Sequence, residues 1–146
     1  MSAYQETINI LTKTQLEFVD ITDKVAEIVK RSKIKNGAVT IFAKHTTAAV
    51  RLTQNEKLLL QDIAKILYRL VPMDENYSHD IFELRETKKL DDRSNAHAHI
   101  KAFLLGASET VPLKAGKMIL REWQSIFLVE LDGGRKREVV VEVVGE

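Results

Sequence analysis

Four histidines and no cysteine set the chemical options of this 146-residue chain. Imidazole and carboxylate are then its strong transition-metal ligands, and imidazole is the side chain whose ordinary pKa suits proton exchange near neutral pH. The histidines are His45, His79, His97 and His99, drawn from three separate segments. Three such rings could hold a metal with an open coordination position, or carry protons for a reacting molecule. The alternative for each is an ordinary hydrogen-bonded histidine. The chain shows no His-Glu-x-x-His pattern, glycine-rich phosphate loop, serine nucleophile elbow or carboxylate pair at readable spacing.

His45-Thr46-Thr47-Ala48-Ala49 follows the apolar run Val39–Phe42. A ring and two hydroxyls at a strand end could grip a phosphate, or the ring could act as a general acid or base. The bland alternative is two β-branched threonines continuing the strand. In His97-Ala98-His99, strand geometry would turn both rings to one side. Helical geometry sets them about 200° apart, so that one of the pair faces a site. A helix is favoured here. Ser94-Asn95 at its start offers unpaired N–H groups to a phosphate or carboxylate, or serves as a plain N-cap. Glu130 ends an apolar run, where burial is costly without a partner. Arg135 or Arg137 could pair with it or bind an anion; an exposed edge position is the alternative. Trp123, the single tryptophan, reads as core.

The elements that must position these residues are legible from periodicity. Residues 4–18 are β-friendly and predict a strand pair. Residues 21–29 predict a helix with Thr22 as N-cap and Val25, Ile28 and Val29 on one face. Val39–Phe42 and Val50–Thr53 predict strands. Residues 55–70 form the strongest helix, with Leu59, Ile63, Ile66, Leu67 and Leu70 at helical spacing and Pro72 beyond the end. Residues 73–93 predict one long working loop containing a helical turn. Ser94–Leu105 predicts a second core helix stopped by Gly106. Runs at 110–113, 118–120, 126–131 and 139–144 predict strands, with hairpin-like separators at 114–117 and 132–135. The fold class expected is α+β: mainly antiparallel, sandwich-like sheets with two or three helices in a single domain.

Composition narrows the function. Lys plus Arg is 22 and Asp plus Glu 21, for a net charge of +1. With no basic block, nucleic acid is not an expected partner. No apolar run approaches the roughly 18 residues that span a bilayer, so no membrane partner is expected. The first six residues lack the basic start and apolar stretch of a signal peptide, which predicts a cytoplasmic protein. Abundant Lys and Glu without Cys fit a heat-adapted source.

These segments together resemble the YjbQ-like family, also called the secondary thiamine-phosphate synthase family. The match runs through the first histidine motif, Leu52-Thr53-Gln54-Asn55-Glu56, Asn76-Tyr77-Ser78-His79-Asp80, Asn95-Ala96-His97-Ala98-His99, Leu105–Leu113, Trp123-Gln124, Glu130 and Gly133-Gly134-Arg135. Ala49, Ala96 and Arg121-Glu122 depart from residues usual in the family. The resemblance implies an antiparallel-rich α+β fold, a homotrimer, and a polar site in which His45, His79 and His99 match. It implies a divalent ion at those histidines, zinc-like, or magnesium accompanying a diphosphate substrate. The implied activity joins hydroxymethylpyrimidine diphosphate to thiazole phosphate and releases pyrophosphate. His45, His99 and Glu130 are then the expected catalytic groups. Thr46, Thr47, Asn95, Lys101, Ser108 and Arg135 are the expected contacts to a small phosphorylated molecule. The alternatives are a non-catalytic trimer that binds metal or anion, and a metal-dependent hydrolase.

Overall fold

The computed structural model describes residues 1–85 and 93–146. Part of the predicted loop 73–93, residues 86–92, lies outside them. The chain runs β1 (Ser2–Leu11), β2 (Glu17–Asp20), α1 (Thr22–Ser32), β3 (Gly37–Ala43), β4 (Ala48–Thr53), α2 (Lys57–Leu70), α3 (Ala96–Leu105), β5 (Ser108–Lys114), β6 (Lys117–Met118), β7 (Ser125–Glu130) and β8 (Lys136–Gly145). Short 3-10 turns at Ser78–Asp80 and Phe82–Leu84 occupy the predicted loop.

Two antiparallel sheets form, ordered β1-β8-β3-β5-β6 and β2-β7-β4. Strand β7 shows why they stack. Five of its six residues are buried, because both of its faces are covered. Ile126 and Leu128 point with Glu130 into the space between the sheets, where they meet Val139, Val141 and Ile41 of the larger sheet. Phe127 and Val129 point the other way, onto Leu67 of α2 and Ala98 and Ala102 of α3. Period-two alternation thus divides one strand between two cores. Each fully buried side chain of this kind contributes about 1.5–3 kcal/mol. Helix α1 closes the sheet-to-sheet core with Val25, Ile28 and Val29.

Several local expectations change. Residues 4–18 do not form a strand pair: β1 pairs with β8 and β2 with β7, in different sheets. The separator at 132–135 is no hairpin either, since it carries the chain from one sheet to the other. The 114–117 separator is a two-residue hairpin turn, with φ of 52° at Ala115 and 77° at Gly116. Thr22 does not cap α1. Its hydroxyl donates to Asp20 (2.6 Å) and accepts from the Ile126 N–H (2.8 Å), tying α1 to β7. Glu56 caps α2 by accepting from the N–H groups of Leu58 and Leu59. Trp123 is exposed rather than core. Among the described residues no helix is long and apolar enough to cross a membrane.

Candidate functional site

A cleft of about 390 Å³ opens where four chain segments converge. The β3–β4 connection brings Lys44, His45, Thr46 and Thr47. The first 3-10 turn brings His79. The start of α3 brings Asn95 and His99, and the chain entering β8 brings Arg135 and Arg137.

The foundation is an ion pair between the sheets. Arg137 lies in phase with Val139, Val141 and Val143, so strand alternation turns it onto the apolar face of β8. Glu130 is likewise in phase with Ile126 and Leu128 on β7. They meet fully buried: Arg137 Nε donates to Glu130 Oε1 at 2.8 Å, and Nη2 to Oε2. Glu130 also accepts from the Thr12 hydroxyl (2.6 Å) and the N–H groups of Leu131 and Asp132 (2.9 and 3.0 Å). Burial alone would raise its pKa. The hydrogen bonds from Arg137, Thr12 and Asp132 outweigh that and hold it below the usual carboxylate range. Arg137 Nη2 is further engaged by the carbonyl and hydroxyl of Thr47, at 3.0 and 2.8 Å. Its Nη1 makes no hydrogen bond among the described residues.

A second buried carboxylate, Asp132, organises the neighbouring wall. It accepts from Arg135 Nη2 (2.7 Å) and Asn95 Nδ2 (2.9 Å), with Arg93 at 3.7 Å. Lys44 pairs with Glu138 at 3.0 Å. Lys44, Arg93, Arg135 and Arg137 are thus each set against a carboxylate: Glu138 for Lys44, Asp132 for Arg93 and Arg135, and Glu130 for Arg137.

The rings have distinct settings. His45 Nε2 accepts the Glu138 N–H at 2.8 Å, which places the proton of the neutral ring on Nδ1. Burial, then the nearby Arg137, lowers its pKa. His99 stands edge-on to His79 with centroids 4.9 Å apart. Burial, then His79, lowers the His99 pKa, against a hydrogen bond to the Thr46 backbone.

Not every expected residue arrives. Lys101 does not line the cleft: its ammonium is buried in α3, 2.8 Å from His97 Nδ1 and 4.6 Å above the Tyr68 ring. Desolvation pushes its pKa down to about 8. Ser108 sits exposed at the start of β5, opposite Phe42, away from the cleft. Glu130 stands behind Arg137 with both oxygens engaged, so it positions that guanidinium rather than facing a reacting molecule. Thr47 holds Arg137 from the other side while itself lining the cleft. The start of α3 is not open to an anion at Ala96, whose N–H donates to Asp80 Oδ1 at 3.0 Å. His97 turns away from the cleft, as the helical reading of the pair requires.

Among the described residues no group of three His, Asp or Glu converges as metal ligands, and His45 Nε2 is already occupied. Sequence reasoning left out Lys44, Asp132 and Thr12. It named Arg137 only as an alternative, although an arginine alternating in phase with three valines was a readable signal.

Comparisons with known proteins give one answer. A family model described as UPF0047 protein YjbQ-like matches residues 6–146. A UPF0047 protein of Methanothermobacter thermautotrophicus is 38% identical over 146 residues, covering all of this chain and 95% of the relative. The UPF0047 protein YugU of Bacillus subtilis is 30% identical over 140 residues, 96% and 98% of the two chains. A crystal structure of a YbjQ-like protein of unknown function from Sulfolobus solfataricus P2 superposes with a TM-score of 0.91 at 39% identity over 99% of both chains. A hypothetical protein from Aeropyrum pernix K1 follows at 0.88 and 30%, covering 98% and 99%. On sequence and on fold alike, this chain belongs to the YjbQ-like UPF0047 family.

Proposed function

We propose that the protein is an enzyme acting on a small phosphorylated molecule bound in the 390 Å³ cleft. One observation carries this reading: Lys44, Arg135 and Arg137 line the same cleft as His45, His79 and His99. Glu130 and Thr47 hold Arg137 through its Nε and Nη2 and so fix the orientation of the guanidinium, and preorganised donors are worth most where water is excluded. His45 and His99 are neutral at pH 7 because their pKa values are lowered. Neutral rings accept protons, so they serve as proton carriers beside the anion.

The specific reaction we propose follows the family resemblance. The methylene carbon of hydroxymethylpyrimidine diphosphate loses its bond to the diphosphate oxygen and gains one to the thiazole nitrogen. The electron pair of the broken bond departs with pyrophosphate, and the cationic wall stabilises that charge.

The test is pyrophosphate release from the two substrates, by wild type and by His99→Ala and Arg135→Ala. We expect a loss of about 100-fold or more in the histidine variant. Unchanged rates in both variants would sink the proposal. Phosphate binding without turnover would favour the non-catalytic anion binder. Release of phosphate from simple esters would favour a hydrolase.

We further propose a cytoplasmic homotrimer. Phe103 is 86% exposed, and Leu58 and Leu70 are each 65% exposed, on helices α2 and α3. Large apolar residues exposed on adjoining helices mark an interaction surface.

A further inference from the structure

Asn95 was expected to hold phosphate oxygens, and its hydrogen bonds give it the opposite polarity. The side chain is 4% exposed and lines the cleft. Its Nδ2 donates to Asp132 Oδ2 at 2.9 Å. Asp132 is itself buried and pinned by Arg135 at 2.7 Å. Turning the amide over would set Oδ1 against a carboxylate oxygen, acceptor against acceptor. Asp132 therefore fixes which end of the amide is which. The remaining atom, Oδ1, is buried and has no hydrogen-bond partner among the described residues.

A buried acceptor without a donor is costly, and such groups in native sites call for an explanation. A phosphate oxygen cannot satisfy Oδ1, because both are acceptors at neutral pH. A ligand N–H or O–H can. From this we infer that the ligand of the cleft carries a hydrogen-bond donor close to its phosphate, and that Asn95 Oδ1 reads that donor. The inference rests on the phosphate reading above and adds to it a substrate class: amino- or hydroxy-bearing organic phosphates. Such a site discriminates strongly. An analogue lacking the donor leaves Oδ1 unpaired in the complex. The neighbouring cations supply affinity for any phosphate, whereas Asn95 supplies selection among phosphates.

The experiment is calorimetric titration of the full chain with four probes. These are propyl phosphate, 2-hydroxyethyl phosphate, glycerol 3-phosphate and 2-aminoethyl phosphate. For wild type, we expect at least one donor-bearing ester to bind about tenfold more tightly than propyl phosphate, the size of one satisfied buried hydrogen bond. In Asn95→Leu we expect that advantage to fall to within about twofold, with propyl phosphate itself changed about threefold or less. Asn95→Ser is the second variant should the leucine variant not fold. Equal binding of all four esters to wild type overturns this inference and leaves the phosphate reading intact. So does a donor preference that survives in the variant. Failure of every ester and of inorganic phosphate to bind overturns the phosphate reading, and this inference with it.

Discussion

Replacing Glu130 with glutamine should cost the protein a large part of its stability. The change is nearly isosteric, so no cavity enters the account. Glu130 is fully buried and accepts five hydrogen bonds, from Thr12, Leu131, Asp132 and two nitrogens of Arg137. A carboxylate has two acceptor oxygens, whereas an amide has one and presents two donors. Whichever way the introduced amide turns, its NH2 group meets donors. Arg137, 4% exposed, keeps its charge and loses its counter-ion. Breaking a buried pair from one side costs about 3–5 kcal/mol. Against a total of about 5–15 kcal/mol, that is a major fraction. At about 3–4 °C per kcal/mol for a domain of this size, the melting temperature should fall by about 9–20 °C. The assay is denaturant unfolding at pH 7 and fixed protein concentration, with Glu138→Gln as the control. Glu138 pairs with Lys44 with both side chains near half exposure, so its loss should cost under about 1 kcal/mol. The acid limb gives a second readout. Because folding lowers the Glu130 pKa, its contribution is present above the unfolded carboxylate pKa and disappears as pH falls through the folded one. The gap between wild type and Glu130→Gln should close on that descent. A loss below about 1 kcal/mol at pH 7, equal to the control, would refute the reasoning.

Lys101→Met should be neutral or stabilising at pH 7, because it removes a buried ammonium that has no carboxylate partner among the described residues. The Lys101 pKa is lowered to about 8, so the unfolded chain holds the proton longer; wild type should gain stability from about pH 8 to 10 and the variant should not, as urea titrations would show. If neutral His45 and His99 carry protons, the acid limb of a pH–rate profile should have its midpoint below about 6.5; a midpoint above that would contradict their lowered pKa values. Light scattering should report three chains, and Phe103→Glu should shift the population toward one; a monomeric wild type would refute the trimer.

Much of this molecule could be read locally. The 3.6-residue spacing of Leu59, Ile63, Ile66, Leu67 and Leu70 marks α2, and Gly106 marks the end of α3. The alternation of Val139, Val141 and Val143 marks β8 as a strand with one apolar face. Separate histidine motifs at segment ends pointed to the walls of one polar site, and the helical reading of His97-Ala98-His99 sends one ring away from it. These signals are legible because they depend on neighbours in the chain, through helix and strand periodicity.

What pairs with what is decided elsewhere. Nothing near residues 132–135 announces that β7 and β8 belong to different sheets, because turn residues serve a hairpin and a sheet crossing alike. Yet that crossing brings Glu130 and Arg137 face to face, and with them the orientation of the cleft's arginine. Lys101 follows the same logic: its type suggested an anion contact, and its place on α3 buried it against His97 and Tyr68. Residue type specifies what a side chain can do. Strand partnership and helix packing, set by contacts between residues as distant as Thr12 and Glu130, decide which neighbours it does it with.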